Sequence, residues 1–160
     1  MTDINIRPAK KDDMAAVFNL IKDLADFEKM SDQVCINAEV LIKDGFENNS
    51  PLFTCYVAEI NNTIIGYAVY YIRYCTWVGK SVFLQDLYVD LNYRKQSAGK
   101  KLFFRIAKDA HEIGGQLDFH VLSWNPAMEF YKRVGAEDLT NNEQWHLLRL
   151  DQLALTKLFE

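Results

Sequence analysis

FLQDLYVDLNYRKQSAGKKL, residues 83–102, runs from a strand through a basic loop into a helix. Its first half is an apolar strand. After it, Leu102, Phe103, Ile106, Ala110 and Ile113 fall on one face of a helix. Between the two lies a short loop of basic and small residues. A helix that starts there presents unpaired backbone N–H groups and roughly half a positive charge, the setting for a phosphate or another small anion. Arg94, Lys95, Lys100 and Lys101 add mobile positive charge at the same point.

Downstream, Gly114-Gly115 ends the helix, residues 116–122 read as a strand, and 127–134 as a short helix stopped by Gly135. A final strand is predicted at 145–150, before a short C-terminal helix. Upstream, Ile4 and Ile6 alternate in a strand that Pro8 stops, and Met14, Val17, Phe18, Ile21, Leu24 and Ala25 recur at helical spacing. A second short helix is predicted over 38–46. Three strands follow at 53–60, 63–74 and 80–89, the first two joined at Asn61-Asn62, a pair that tolerates positive φ in a hairpin turn. The order predicts an α/β domain with a mixed, largely antiparallel sheet flanked by helices.

No repeat or Pro/Gly/Ser-rich linker divides the 160 residues, so one domain, 1–160, is expected. A hydrophobic share of 49%, with 10 Phe, 8 Tyr and 3 Trp, supplies a core and excludes disorder. The net charge of −4 opposes nucleic acid and anionic membrane as partners, which leaves the basic loop as a small-anion site. Cys35, Cys55 and Cys75 carry no C-x-x-C spacing, and His111, His120 and His146 are scattered, so neither a disulfide framework nor a metal is expected. With no signal-peptide pattern at the start and no apolar run long enough to span a bilayer, a cytoplasmic location is expected.

The element order, the loop RKQSAGKKL after the strand LQDLYV, and NPAMEFYKRVGA further on resemble the GNAT superfamily of acetyl-CoA-dependent N-acetyltransferases. Within it, RPAKKDD, IKDLADFEKM, YYIRYCTWVGKSVFLQDLYV and EQW are similar to the spermidine/spermine and thialysine acetyltransferase branch. The resemblance implies the GNAT fold with a splayed central strand, acetyl-CoA as acyl donor, no metal, a small-molecule amine as acceptor, and a homodimer. It places the pyrophosphate on Arg94, Lys95, Gln96, Ser97, Ala98, Gly99 and Lys100, with Ser97 standing where the family has its first loop glycine. It places the pantetheine arm on the backbone of Leu87, Tyr88 and Val89 and near Asn125. Tyr131 matches the tyrosine that protonates the leaving thiolate.

The acceptor poses the harder problem, because an alkylamine of pKa about 10.4 is neutral in only about one molecule in 10³ at neutral pH. Polyamine-acetylating relatives have a glutamate to take the proton, and this chain has Gln85 there. Asp86, beside it, is the first candidate for the substitute. Phe27, Glu28, Trp77, Glu143 and Trp145 match the acceptor wall, while Cys75 replaces an acidic residue near Trp77 and favours a shorter amine than a polycation. Two rivals stay open: an amino acid, peptide or antibiotic amine as acceptor, and a module that binds acyl-CoA with little transfer.

Overall fold

The computed structural model describes residues 3–160, in two compact units, one running to His120 and the other from Val121 to Glu160. The first unit holds one five-stranded sheet in the order β1 (Asn5–Pro8), β2 (Thr54–Ile60), β3 (Thr63–Cys75), β4 (Gly79–Val89), β5 (Gln116–Phe119). Neighbours from β1 to β4 are antiparallel and β4 and β5 are parallel, the mixed sheet that the order of elements predicts. Asn61 and Asn62 turn β2 into β3 with φ of 47° and 62°, the left-handed conformation that asparagine tolerates.

Side chains alternate across the strands, so each face has its own helices. Cys55, Val57, Tyr67 and Tyr88 face α1 (Met14–Phe27) and α2 (Ala38–Ile42), whose Met14, Val17, Leu20 and Leu41 complete one buried cluster. On the other face lies α3 (Ala98–Glu112), with Leu102, Phe103, Ile106 and Ala110 buried. There Arg105 donates to the Tyr56 hydroxyl at 2.8 Å, and Tyr70 donates to Asp109 at 2.8 Å. At the sheet's outer edge Arg7 joins β1 to the start of α1 and to β2 through Asp13 and Glu59, at 2.6 Å each.

Two features of β3 and β4 shape the site. Gly66 lies so close to β4 that a Cβ would stand 2.8 Å from the Tyr88 carbonyl oxygen, so only glycine fits. In the register, Val69 pairs with Asp86 but Tyr70 pairs with Leu84, which makes Gln85 the extra residue of a β-bulge.

The second unit contains α4 (Ala127–Arg133), α5 (Leu139–Glu143) and α6 (Gln152–Lys157), the last two capped by Asp138 and Asp151. Gly135, at φ 98°, lies two residues beyond α4. The strand expected at 145–150 does not form. Those residues are irregular and exposed, Leu148 at 87%. Apolar residues make a strand only where another strand's edge pairs with them, and among the described residues none does. No described helix is long and apolar enough to cross a membrane.

Candidate active site

The loop of residues 94–97 leads into α3. Lys95 and Ser97 both adopt left-handed backbone, with φ of 64° and 68°, although neither is glycine. Alternation of this kind turns successive N–H groups toward one point, a nest for an anion. No side chain caps α3, so the N–H groups of its first turn stay available. A Cβ at Gly99 would meet only Leu87 and Val89 at 3.7 Å, ordinary contact, so the fold itself does not demand glycine there. Its bare Cα instead leaves the approach to the helix start open, which fits a pyrophosphate.

Arg94 does more than add charge. Its guanidinium lies 4.7 Å from the Phe27 ring and 5.3 Å from that of Tyr88, and its Nε donates to the Val89 carbonyl at 3.1 Å. One side chain thus ties the loop to the end of α1 and to β4.

Pairing between β4 and β5 runs from Ser81 to Leu84 and stops. Beyond it, no described strand pairs with residues 85–89 on that side; N–H groups alternate along a strand, and since that of Asp90 goes to the Ile65 carbonyl of β3, those of Leu87 and Val89 face the open edge while that of Tyr88 faces β3. The bulge sends Gln85 and Asp86 to different surroundings. Gln85 is exposed, whereas Asp86 turns in toward the α1 face, where its Oδ2 accepts from the Tyr67 hydroxyl at 3.2 Å.

Burial pushes the Asp86 carboxyl up from its ordinary value, and the Tyr67 hydrogen bond pulls it back down. Glu28, the residue after α1, is also raised, by burial and by the negative charge of Asp86. Among the described residues neither carboxylate has an ion pair with a basic side chain. Two acids close enough to repel, partly dehydrated and without a paired cation, are chemically suited to a cation. In the sequence, a tyrosine in the run GYAVYY reads as core, and only the register brings the Tyr67 hydroxyl to Asp86.

Trp77 is 81% exposed in the turn between β3 and β4. From Gly79 to Asp86 the strand rises about 23 Å at roughly 3.3 Å per residue, so Trp77 does not stand beside Asp86 and Glu28 within one chain. In the second unit, Tyr131 on α4 is buried, and burial raises its phenol above the ordinary value. Asn125 accepts from the Ala127 N–H at 2.9 Å and so stabilises the first turn of α4. Glu143 accepts a hydrogen bond from the indole of the exposed Trp145.

The family described as "Acetyltransferase (GNAT) family" matches residues 18–136. The chain is 41% identical to a thialysine N-epsilon-acetyltransferase of Bos taurus, over 99% of this chain and 98% of that one. It is 35% identical to spermidine/spermine N(1)-acetyltransferase-like protein 1 of Homo sapiens, over 95% of this chain and 23% of that one. Among solved structures, an integron cassette protein from the mobile metagenome of V. cholerae superposes with a TM-score of 0.78 at 19% identity, covering 100% of this chain and 99% of that one; it speaks to the fold alone. A strand, a loop with left-handed backbone and a helix in sequence, an open β4 edge and matches along nearly the whole sequence lead to one conclusion: the chain belongs to the GNAT family of acetyltransferases and is an N-acetyltransferase.

Proposed function

We propose that this enzyme moves the acetyl group of acetyl-CoA to a small primary amine, a lysine analogue, diamine or polyamine, by direct attack. The observation that carries the reading is the uncompensated acid pair Asp86 and Glu28 next to the open edge of β4. The amine binds as an ammonium between these acids. The relatives support the amine class by name, with thialysine and spermidine/spermine acetyltransferases at 41% and 35% identity.

Acetyl-CoA supplies the acetyl group as a thioester. The loop from Arg94 to Lys100 and the start of α3 bind its pyrophosphate, and the β4 N–H groups polarise its carbonyl, an effect of about 3 kcal/mol per donor in comparable oxyanion sites. Asp86 accepts the amine's proton on the carboxylate oxygen that Tyr67 leaves free, and Tyr131 provides the proton for the departing thiolate. Its raised phenol is fully protonated at neutral pH, as a donor must be. Three free cysteines suit the reducing cytoplasm where we place the enzyme.

The test is thiol release from acetyl-CoA against thialysine, lysine, ornithine, diamines and polyamines, with amino acids lacking a side-chain amine as controls. Turnover with at least one side-chain amine is expected; none with any primary amine would sink the reading.

Two predictions accompany it. Ser97 holds a left-handed conformation that costs a non-glycine residue about 1 kcal/mol. Ser97→Gly removes that strain but gives the unfolded chain more freedom, so thermal denaturation should show a stability change within about 1 kcal/mol. CoA affinity, measured by calorimetry, should rise about threefold, equivalent to roughly 0.65 kcal/mol, because the phosphate gains closer access to the backbone.

The second concerns assembly. The exposed Trp77 turn, remote from the acids of its own chain, and the exposed Trp145, Leu147, Leu148, Leu150, Leu153 and Phe159 support a homodimer that covers them. Sedimentation should give a dimer for the wild type, and Leu148→Asp should shift it to monomer.

A further inference from the structure

Tyr67 occupies the middle of β3 and is fully buried among Met14, Val17, Leu20 and Tyr88. A hydroxyl in that company is costly unless it is bonded, and a phenylalanine would fill the same space without the cost. The hydroxyl has its partner in Asp86, with the oxygen 3.2 Å from Oδ2. The geometry follows from the register. Tyr67 pairs with Tyr88 and Val69 with Asp86, so Tyr67 and Asp86 are diagonal neighbours on one face of the sheet.

We propose that Tyr67 is a positioning residue for acetyl transfer: its phenol grips one oxygen of Asp86, turns the other toward the amine beside Glu28, and supports the carboxylate's charge. The inference rests on the reading of Asp86 as proton acceptor.

The groups facing Asp86 allow the sign to be worked out. Burial, Asp86 and its hydrogen bond, together with Cys55 and Glu28, keep the Tyr67 phenol well above its ordinary value, so it remains a donor at every working pH. Cys55 of β2 is pushed up to about 12, by burial first and then by Asp13 and Asp86, and stays neutral. Tyr88 of β4 is raised by burial and is neutral as well. Glu28 is the remaining acid, and its charge disfavours that of Asp86. A donor to the charged carboxylate favours ionisation, so losing it raises the Asp86 titration.

The experiment compares wild type, Tyr67→Phe and Asp86→Asn in kcat/KM for the amine against pH, together with carboxyl-carbon NMR titration of Asp86 in wild type and Tyr67→Phe. In Tyr67→Phe the acid limb should move up by about one pH unit, a tenfold loss below the limb that recovers above it, with the acetyl-CoA KM unchanged. The NMR midpoint should move with it.

Should Tyr67→Phe fold poorly, 3-fluorotyrosine at position 67 keeps ring and hydroxyl while strengthening the donor, and both midpoints should move down. Asp86→Asn with a wild-type profile would sink Asp86 as the proton acceptor, and Tyr67's place in the reaction with it. A crippled Asp86→Asn beside a Tyr67 variant with unshifted rate and NMR midpoints would overturn the Tyr67 inference alone.

Discussion

Asp86→Asn is expected to lower kcat/KM for the amine by about 10²- to 10⁴-fold at pH 7, the range that a positioned general base contributes. The side chain keeps its size, and the amide oxygen still accepts from Tyr67, so the fold should persist. The pH dependence makes the prediction specific. In the wild type the carboxyl, raised by burial, must lose its proton before it can accept another, so kcat/KM rises through the Asp86 titration and then levels. The asparagine variant has no acceptor and must wait for neutral amine. Its rate should climb tenfold per pH unit until the amine's own titration near about pH 10.4, and the deficit should shrink accordingly. A constant deficit from pH 7 to 9.5 would remove Asp86 from the proton's path.

Tyr131→Phe should cost about 10²- to 10⁴-fold in kcat while leaving acetyl-CoA binding nearly unchanged, because the hydroxyl acts as the thiolate leaves. A thiolate needs less help the lower its thiol's pKa. An acyl donor with a better leaving group, such as an acetyl thioester of a thiophenol, should therefore narrow the gap between variant and wild type if the small donor is turned over at all. Burial raises the phenol, so on the alkaline side the wild type should keep its rate beyond pH 10, and any decline below that belongs to another group. Measured kcat ratios for two donors decide the matter: an equal penalty with both would mean that Tyr131 serves only packing.

How much of this was legible in the sequence depends on whether a feature is local. The strand, loop and helix of residues 83–102 follow from periodicity and from small and basic residues at one junction, all readable in one window. So does the turn at Asn61-Asn62. The helix expected to run to residue 46 is α-helical only to Ile42 and continues as a wider turn over Lys43–Glu47, where Gly45 gives way to the Phe53 ring. That packing comes from a residue outside the window. The bulge at Gln85 is a relation between two strands, invisible in either alone, and it decides that Asp86 rather than Gln85 turns inward. The residues at 145–150 show the opposite error, an apolar stretch read as a strand without a partner. Helix α5 has poor helix formers in Thr140, Asn141 and Asn142; its one signal was the cap residue Asp138.

The Arg94 side chain joins two parts of the proposed site. It is stacked against Phe27 at the end of α1, one residue before Glu28, and hydrogen-bonded to the last carbonyl of β4. If Arg94 holds the pyrophosphate as proposed, a shift of its guanidinium reaches the Phe27 ring, one residue from Glu28. By reciprocity, the factor by which acetyl-CoA changes the amine's affinity must equal the factor by which the amine changes that of acetyl-CoA. In the proposed reading one side chain thus joins the loop to the acceptor wall, and any coupling it carries between the two substrates is equal in both directions.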